Sequence, residues 1–350
     1  MWYKSQDRSN RIAVYMNVRC SCPNRGRYMT LEDTRDVDVQ FSNADVTLSG
    51  TLVLPKTDGP HPAVVFIHGS GRNTRDHLRF FADRFASYGI AGLVYDKRGV
   101  GDSTGEFPND LISSFGDLAD DAISGQLHLS ERPDIDSTRI GFWGFSQGGW
   151  LAPLAATRSD KTAFVVCVGG PGDDGEAQMQ FAIPNLMRAE GYAEKEIAQT
   201  LHDRAYLQNL LNEIAITGEG WEELEAQVDR IRKTGLPLYV GIPETEGRDL
   251  RDAINLDDWR SEGSEANEHD PYAVLVKLTC PVLSIYGECD ASVPVIKSVE
   301  VFEAALEEAG NSDYTIKVFP KANHGVRVGD DFAEGYLDFM TSWLVERLFK

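Results

Sequence analysis

Four runs in this chain are apolar at almost every position: Pro62-Ala63-Val64-Val65-Phe66-Ile67, Ile90-Ala91-Gly92-Leu93-Val94-Tyr95, Ala163-Phe164-Val165-Val166-Cys167-Val168 and Pro281-Val282-Leu283-Ser284-Ile285-Tyr286-Gly287. A strand with one wet face alternates apolar and polar side chains. A strand without alternation is buried on both faces, as in a parallel sheet covered by helices. Helix-length segments lie between and after these runs: Leu78–Tyr88, roughly Ser114–Leu129, Gln147–Thr157 and Val295–Glu308. A last strand over Tyr314–Phe319 and an amphipathic helix over Phe332–Phe349 close the chain. Strand and helix alternate as in βαβ units, which predicts an α/β fold with a doubly wound, mostly parallel sheet. Upstream, Val37–Phe41 and Val46–Pro55 do alternate, and predict an antiparallel pair joined through Ser42-Asn43-Ala44-Asp45.

A further short strand, Ile140–Trp143, runs directly into Gly144-Phe145-Ser146-Gln147-Gly148 and a helix. Gly-x-Ser-x-Gly between strand and helix fits a nucleophile elbow, a strained turn that lifts the serine hydroxyl clear of the sheet. The bland alternative is a glycine-rich turn, and the motif alone is frequent enough to be only a hypothesis. The rest of the chain must supply a base, an acid and an oxyanion hole.

A serine hydroxyl is a poor nucleophile near neutral pH unless a base lies within hydrogen-bond reach and a third group orients that base. The expected chain order is Ser, then Asp or Glu, then His. Of the seven histidines, only His324 follows the last strand of the sheet, in Lys321-Ala322-Asn323-His324-Gly325. The loop after the preceding strand, Gly287-Glu288-Cys289-Asp290, offers two acids; Asp290 is preferred because it lies further past the strand, and Glu288 is the alternative. An oxyanion hole needs two backbone N–H groups. Gln147, next to Ser146, supplies one, and Ser70 in His68-Gly69-Ser70-Gly71 supplies the other, with His68 shaping the loop. Asp96-Lys97-Arg98-Gly99-Val100-Gly101-Asp102-Ser103 is rich in glycine but matches no phosphate-binding pattern. Its expected role is architectural, with Arg98 and Asp102 fixing loops beside the site. There is no metal signature, and no cofactor is expected.

The βαβ rhythm stops after Gly169-Gly170-Pro171-Gly172. Residues 173–270 are acidic and mainly helical, with Ile197, Leu201, Tyr206, Leu210, Leu211 and Ile214 at helical spacing and a strand-like run only at Leu236–Ile242. They are expected to form a lid or cap between two parts of the core, residues 29–172 and 271–350. An appendage that only packs is the alternative. Residues 1–28 are basic and are expected to be a disordered extension, with Met29 as an alternative natural start.

The net charge of −21 repels nucleic-acid phosphates and anionic membrane surfaces, so neither is an expected partner. Arginine exceeds lysine and acids exceed both, a pattern compatible with salt adaptation. No run approaches the roughly 18 apolar residues of a membrane span. Five cysteines at irregular spacing suggest a reducing compartment, and a cytoplasmic location is expected. A homodimer is allowed.

Together, His68-Gly69-Ser70-Gly71, Asp96–Gly101, Gly144–Gly149, Gly287–Asp290 with Val293-Pro294, and Asn323-His324-Gly325 resemble the α/β-hydrolase superfamily. Within it the chain is similar to carboxylesterases related to dienelactone hydrolases and to the catalytic domain of prolyl oligopeptidases. The resemblance covers roughly Val37 to Phe349 and is weakest across residues 173–270. It implies Ser146 as nucleophile, Asp290 as acid, His324 as base, Ser70 and Gln147 as oxyanion donors, and a small-molecule ester as substrate. Acyl-CoA thioesterase or serine peptidase chemistry on the same fold are alternatives, and a non-catalytic binding protein is a third.

Overall fold

The computed structural model describes residues 34–107, 115–238, 250–254 and 269–350. The expectations for residues 1–28, and most of the run Leu236–Ile242, lie outside them. An eight-stranded sheet forms the centre, in the order β1-β2-β4-β3-β5-β6-β7-β8. Its strands are β1 (Thr34–Asn43), β2 (Val46–Pro55), β3 (His61–Ile67), β4 (Ala91–Tyr95), β5 (Ile135–Phe145), β6 (Val165–Val168), β7 (Val282–Gly287) and β8 (Tyr314–Phe319). The β1–β2 and β2–β4 pairs are antiparallel. All other neighbours are parallel. The expected α/β class, with its antiparallel start, is the observed one.

The uninterrupted apolar runs divide by period 2 between two cores. In β3, Ala63, Val65 and Ile67 face one core, while Val64 and Phe66 face the other. Helices α2 (Phe115–Ser130), α3 (Gly148–Arg158), α8 (Pro271–Leu275) and α9 (Val295–Glu308) close the first face. Helices α1 (Arg79–Ala86) and α10 (Tyr336–Leu348) close the second. Burial of this kind contributes about 1.5–3 kcal/mol per large apolar side chain.

The insertion leaves the sheet after β6 and returns before β7. Its described helices are α4 (Gly175–Ala189), α5 (Glu194–Thr217), α6 (Trp221–Thr234) and the short α7 (Leu250–Ala253). Leu207, Leu211 and Ile214 of α5 pack with Leu224, Val228 and Ile231 of α6 in a separate small core. Helix α4 begins at Asp174, whose carboxylate accepts from Ala177 N at 2.9 Å. That is a normal N-cap, worth about 1 kcal/mol. A two-stranded hairpin, β9 (Arg327–Val328) with β10 (Asp331–Phe332), precedes α10. Among the described residues no helix is long and apolar enough to cross a membrane.

The chain passes from β3 to β4 on one side, then returns to place β5 on the other side of β3. This reversal opens a crevice at the carboxyl ends of β3 and β5, where ligands bind in open α/β sheets. The loop after β3 starts at His68 and the turn after β5 starts at Ser146.

Candidate active site

The turn between β5 and α3 is set by backbone contacts that leave no space for side chains. A Cβ on Gly144 would lie 1.8 Å from Gly148 O, and one on Gly148 2.3 Å from Ile67 O. Ser146 sits at φ 55, in the left-handed region that costs a non-glycine residue about 1–2 kcal/mol. Two bonds hold it there: Ser146 N donates to Val168 O at 2.9 Å, and Gly149 N donates to Ser146 O at 2.7 Å.

Asp290 and His324 come from the loops after β7 and β8. His324 Nδ1 lies 2.7 Å from Asp290 Oδ2. The Asp290 side chain is fully buried, and its Oδ1 accepts from Ser292 N at 2.7 Å and Val293 N at 2.9 Å. Both carboxylate oxygens are thereby satisfied without water, as a buried acid requires. Glu288 instead accepts from Lys321 N at 2.9 Å through Oε2. A tight turn presents His324: Asn323 Oδ1 accepts from Gly325 N at 3.0 Å and Arg327 N at 3.1 Å. The Phe145 ring packs beside the imidazole, with centroids 5.0 Å apart. Gly169 backs the ring: at φ 61 it is left-handed, and a Cβ there would lie 3.0 Å from His324 Cε1.

The loop after β3 is held from beneath. His68 is buried, and its Nε2 lies 2.6 Å from the Tyr95 carbonyl. Burial pushes its pKa down to about 4, so the neutral ring donates from Nε2. Asn73 Nδ2 donates to Gly69 O at 3.1 Å and Ser70 O at 2.8 Å. Lys97, with 3% of its surface exposed, donates from Nζ to Gly69 O at 3.1 Å and to Gln147 Oε1 at 2.7 Å. Burial lowers its pKa to about 8. The neighbouring residues are architectural. Arg98 bonds to Asp121 at 2.7 Å and Asp117 at 2.7 Å on α2. Arg75 bridges Asp96 at 2.6 Å and Asp102 at 2.9 Å.

Ser70, Ser146, Gln147 and His324 all line one cavity of about 490 Å³, with Asp290 directly behind His324. An apolar part of the lining comes from α4: Met179, Ala182, Ile183 and Leu186, one helical face at i, i+3, i+4 and i+7. Gln178 Nε2 donates to Ser292 O at 2.7 Å, which ties α4 to the Asp290 loop. The volume falls within the usual range for small-molecule sites, about 300–1,000 Å³. Among the described residues no three histidine, cysteine or acidic side chains converge on a point that could hold a metal ion.

Sequence reasoning did not single out Gly169, Asn73, Lys97 as a separate residue, or the α4 face. A lysine two residues past a buried strand was the available signal for Lys97. The glycine pair after β6 read only as a strand end.

The sequence profile of the alpha/beta hydrolase family matches residues 64–337. Quorum-quenching protein AidA of Acinetobacter baumannii (strain MDR-ZJ06) is 37% identical over 132 residues, covering 37% of this chain and 42% of AidA. Esterase EstD of Thermotoga maritima is 28% identical over 298 residues, covering 81% of this chain and 60% of EstD. The chain thus spans less than two thirds of the length of either relative. Among solved structures, the alpha/beta hydrolase GrgF from Penicillium sp. sh18 is 20% identical with a TM-score of 0.57, covering 90% of this chain and 100% of that one.

Proposed function

We propose that this chain, which belongs to the alpha/beta hydrolase family, is a serine hydrolase that cleaves carboxylic esters through an acyl-enzyme. One observation carries the reading: the 2.7 Å contact between His324 Nδ1 and Asp290 Oδ2, on the rim of the cavity that holds Ser146. With Nδ1 occupied by Asp290, Nε2 is the ring nitrogen left to take a proton from Ser146.

Ser146 Oγ attacks the ester carbonyl as His324 Nε2 accepts its proton. The carbonyl oxygen becomes an oxyanion and lies against the N–H groups of Ser70 and Gln147. Asp290 holds the imidazole tautomer and stabilises the imidazolium. The tetrahedral intermediate collapses, the carbon–oxygen bond to the alcohol breaks, and His324 gives its proton to the leaving oxygen. Water then attacks the acyl-enzyme by the same route, releasing the acid and restoring Ser146. The apolar α4 wall suits the acyl chain, and residues 173–270 act as the lid whose first helix sets how long that chain can be. EstD, matched over most of this chain, is an esterase by name.

The test is Ser146→Ala with short p-nitrophenyl esters. The expected outcome is a fall in kcat of at least about 10⁴-fold, with loss of labelling by a fluorophosphonate probe. Full activity of Ser146→Ala in a contaminant-free preparation overturns the proposal.

A further inference from the structure

We infer that Lys97 is the positioning residue of the oxyanion hole: its single ammonium holds both segments whose N–H groups meet the developing negative charge. The inference rests on the serine-hydrolase reading above and adds a residue that the reading does not need.

The geometry is specific. Lys97 Nζ donates to Gly69 O at 3.1 Å and to Gln147 Oε1 at 2.7 Å. Gly69 C=O and Ser70 N–H belong to one peptide unit. That unit is planar and is not among the cis bonds of the chain. Its carbonyl and N–H therefore point in opposite directions. A bond that fixes Gly69 O toward Lys97 fixes Ser70 N–H away from it, and Asn73 Nδ2 reinforces the same carbonyl at 3.1 Å. The second contact holds the side chain of Gln147, the residue whose own N–H is the other donor. The two donor segments lie on different elements, after β3 and after β5. Apart from sheet pairing, Lys97 is a side chain that ties one to the other.

The charge has a second effect. A cationic donor on a carbonyl polarises the amide, and the N–H at the far end of that amide becomes a stronger donor. Fixed donors cost no reorganisation at the moment charge develops. The ammonium lies in low dielectric, where it is not screened as it would be at the surface. The Phe107 ring lies over it, with the centroid 5.7 Å from Nζ. Nothing in the Ser146–His324–Asp290 proton path touches Lys97. A residue kept buried and charged there at the cost of desolvation calls for a role, and alignment of the oxyanion donors supplies one.

Lys97→Met keeps the length of the side chain and removes the ammonium. The expected result is a fall in kcat of about 10–100-fold, with KM within about threefold, since the donors bind the transition state more than the ester. The inhibition constant of a trifluoromethyl ketone, whose adduct with Ser146 carries the oxyanion, rises by the same factor. A structural role alone lowers stability without this parallel between kcat and ketone affinity. Gln147→Met, which keeps the N–H and deletes Oε1, is expected to lower kcat about 3–10-fold and to be non-additive with Lys97→Met. It decides the matter alone if Lys97→Met does not fold. Unchanged kcat in the folded variant, a loss confined to KM, or ketone affinity that stays constant while kcat falls each overturns the inference. In those cases Ser146→Ala is still inactive, so the hydrolase reading stands. Full activity of Ser146→Ala instead removes both.

Discussion

Asp290 and Glu288 stand two positions apart in one loop and do different things. Asp290 turns inward, where it holds His324 and is held by two backbone N–H groups. Glu288 turns outward onto the Lys321 backbone. Spacing alone left both open, because a two-residue step in a loop carries no periodicity that says which side faces inward. The two are separable by mutation. Asp290→Asn is expected to lower kcat about 10³–10⁴-fold with little change in KM, whereas Glu288→Gln stays within about twofold. Steady-state kinetics on one ester measure both, and equal losses would remove Asp290 from its assigned place. Ser146, Gln147, Ser70 and His324 were legible as candidates because each lies just past a readable strand, and all four line one cavity. Lys97 was not, because its partners lie 28 and 50 residues away and no local pattern records such a contact.

At the scale of elements, the apolar runs and their spacing gave the sheet, and Val295–Glu308 and Tyr314–Phe319 have the bounds expected of them. The C-terminal helix begins at Tyr336 rather than Phe332. Phe332 is spent in the β9–β10 hairpin, paired with Arg327, and stacks on Phe80 with centroids 5.3 Å apart. Two-residue strands are too short to show alternation, and their aromatic residue was absorbed into the helix pattern. Helix α4 was legible as helical but not as a wall of the cavity, because amphipathic spacing does not name the surface that a face meets. Its place predicts chain-length selection. Ala182→Phe fills part of the cavity, and each methylene thereby excluded costs about 0.8 kcal/mol, or roughly fourfold in kcat/KM. Octanoate esters should lose at least about tenfold and acetate esters only a factor of a few. A panel of p-nitrophenyl esters reads the change, and an equal loss across the panel would mean that α4 does not bound the acyl chain.

At the scale of the whole molecule, a buried histidine, His68, and a partly buried one, His269, make stability depend on pH. Burial lowers His68 and His269 to about 4, against about 6.5 in the unfolded chain. The unfolded state therefore binds these protons first. The contribution of each is complete above about pH 6.5 and is lost as the pH falls toward 4, on the order of 3 kcal/mol per residue. The salt-bridged carboxylates act lower: Arg132 beside Asp134 holds that acid below its usual range, so its share is lost only below about pH 4. The melting temperature is expected to decline between pH 6.5 and 4.5. His269 packs edge-on against Phe115, with centroids 4.8 Å apart, so His269→Phe should flatten part of that decline. A melting temperature constant down to pH 4.5 would contradict the assignment.

The insertion that separates β6 from β7 also separates events in time. Ser146 leaves the ribosome about 180 residues ahead of His324, which at roughly 5–20 residues per second is an interval of roughly ten to thirty-five seconds. Through most of that interval the growing polypeptide carries its elbow without Asp290 and its sheet lacks the β7 and β8 neighbours, and His324 is missing until its end. On the proposed mechanism a chain interrupted before His324 would be chemically silent, and hydrolysis would begin only once the loop after β8 has been made.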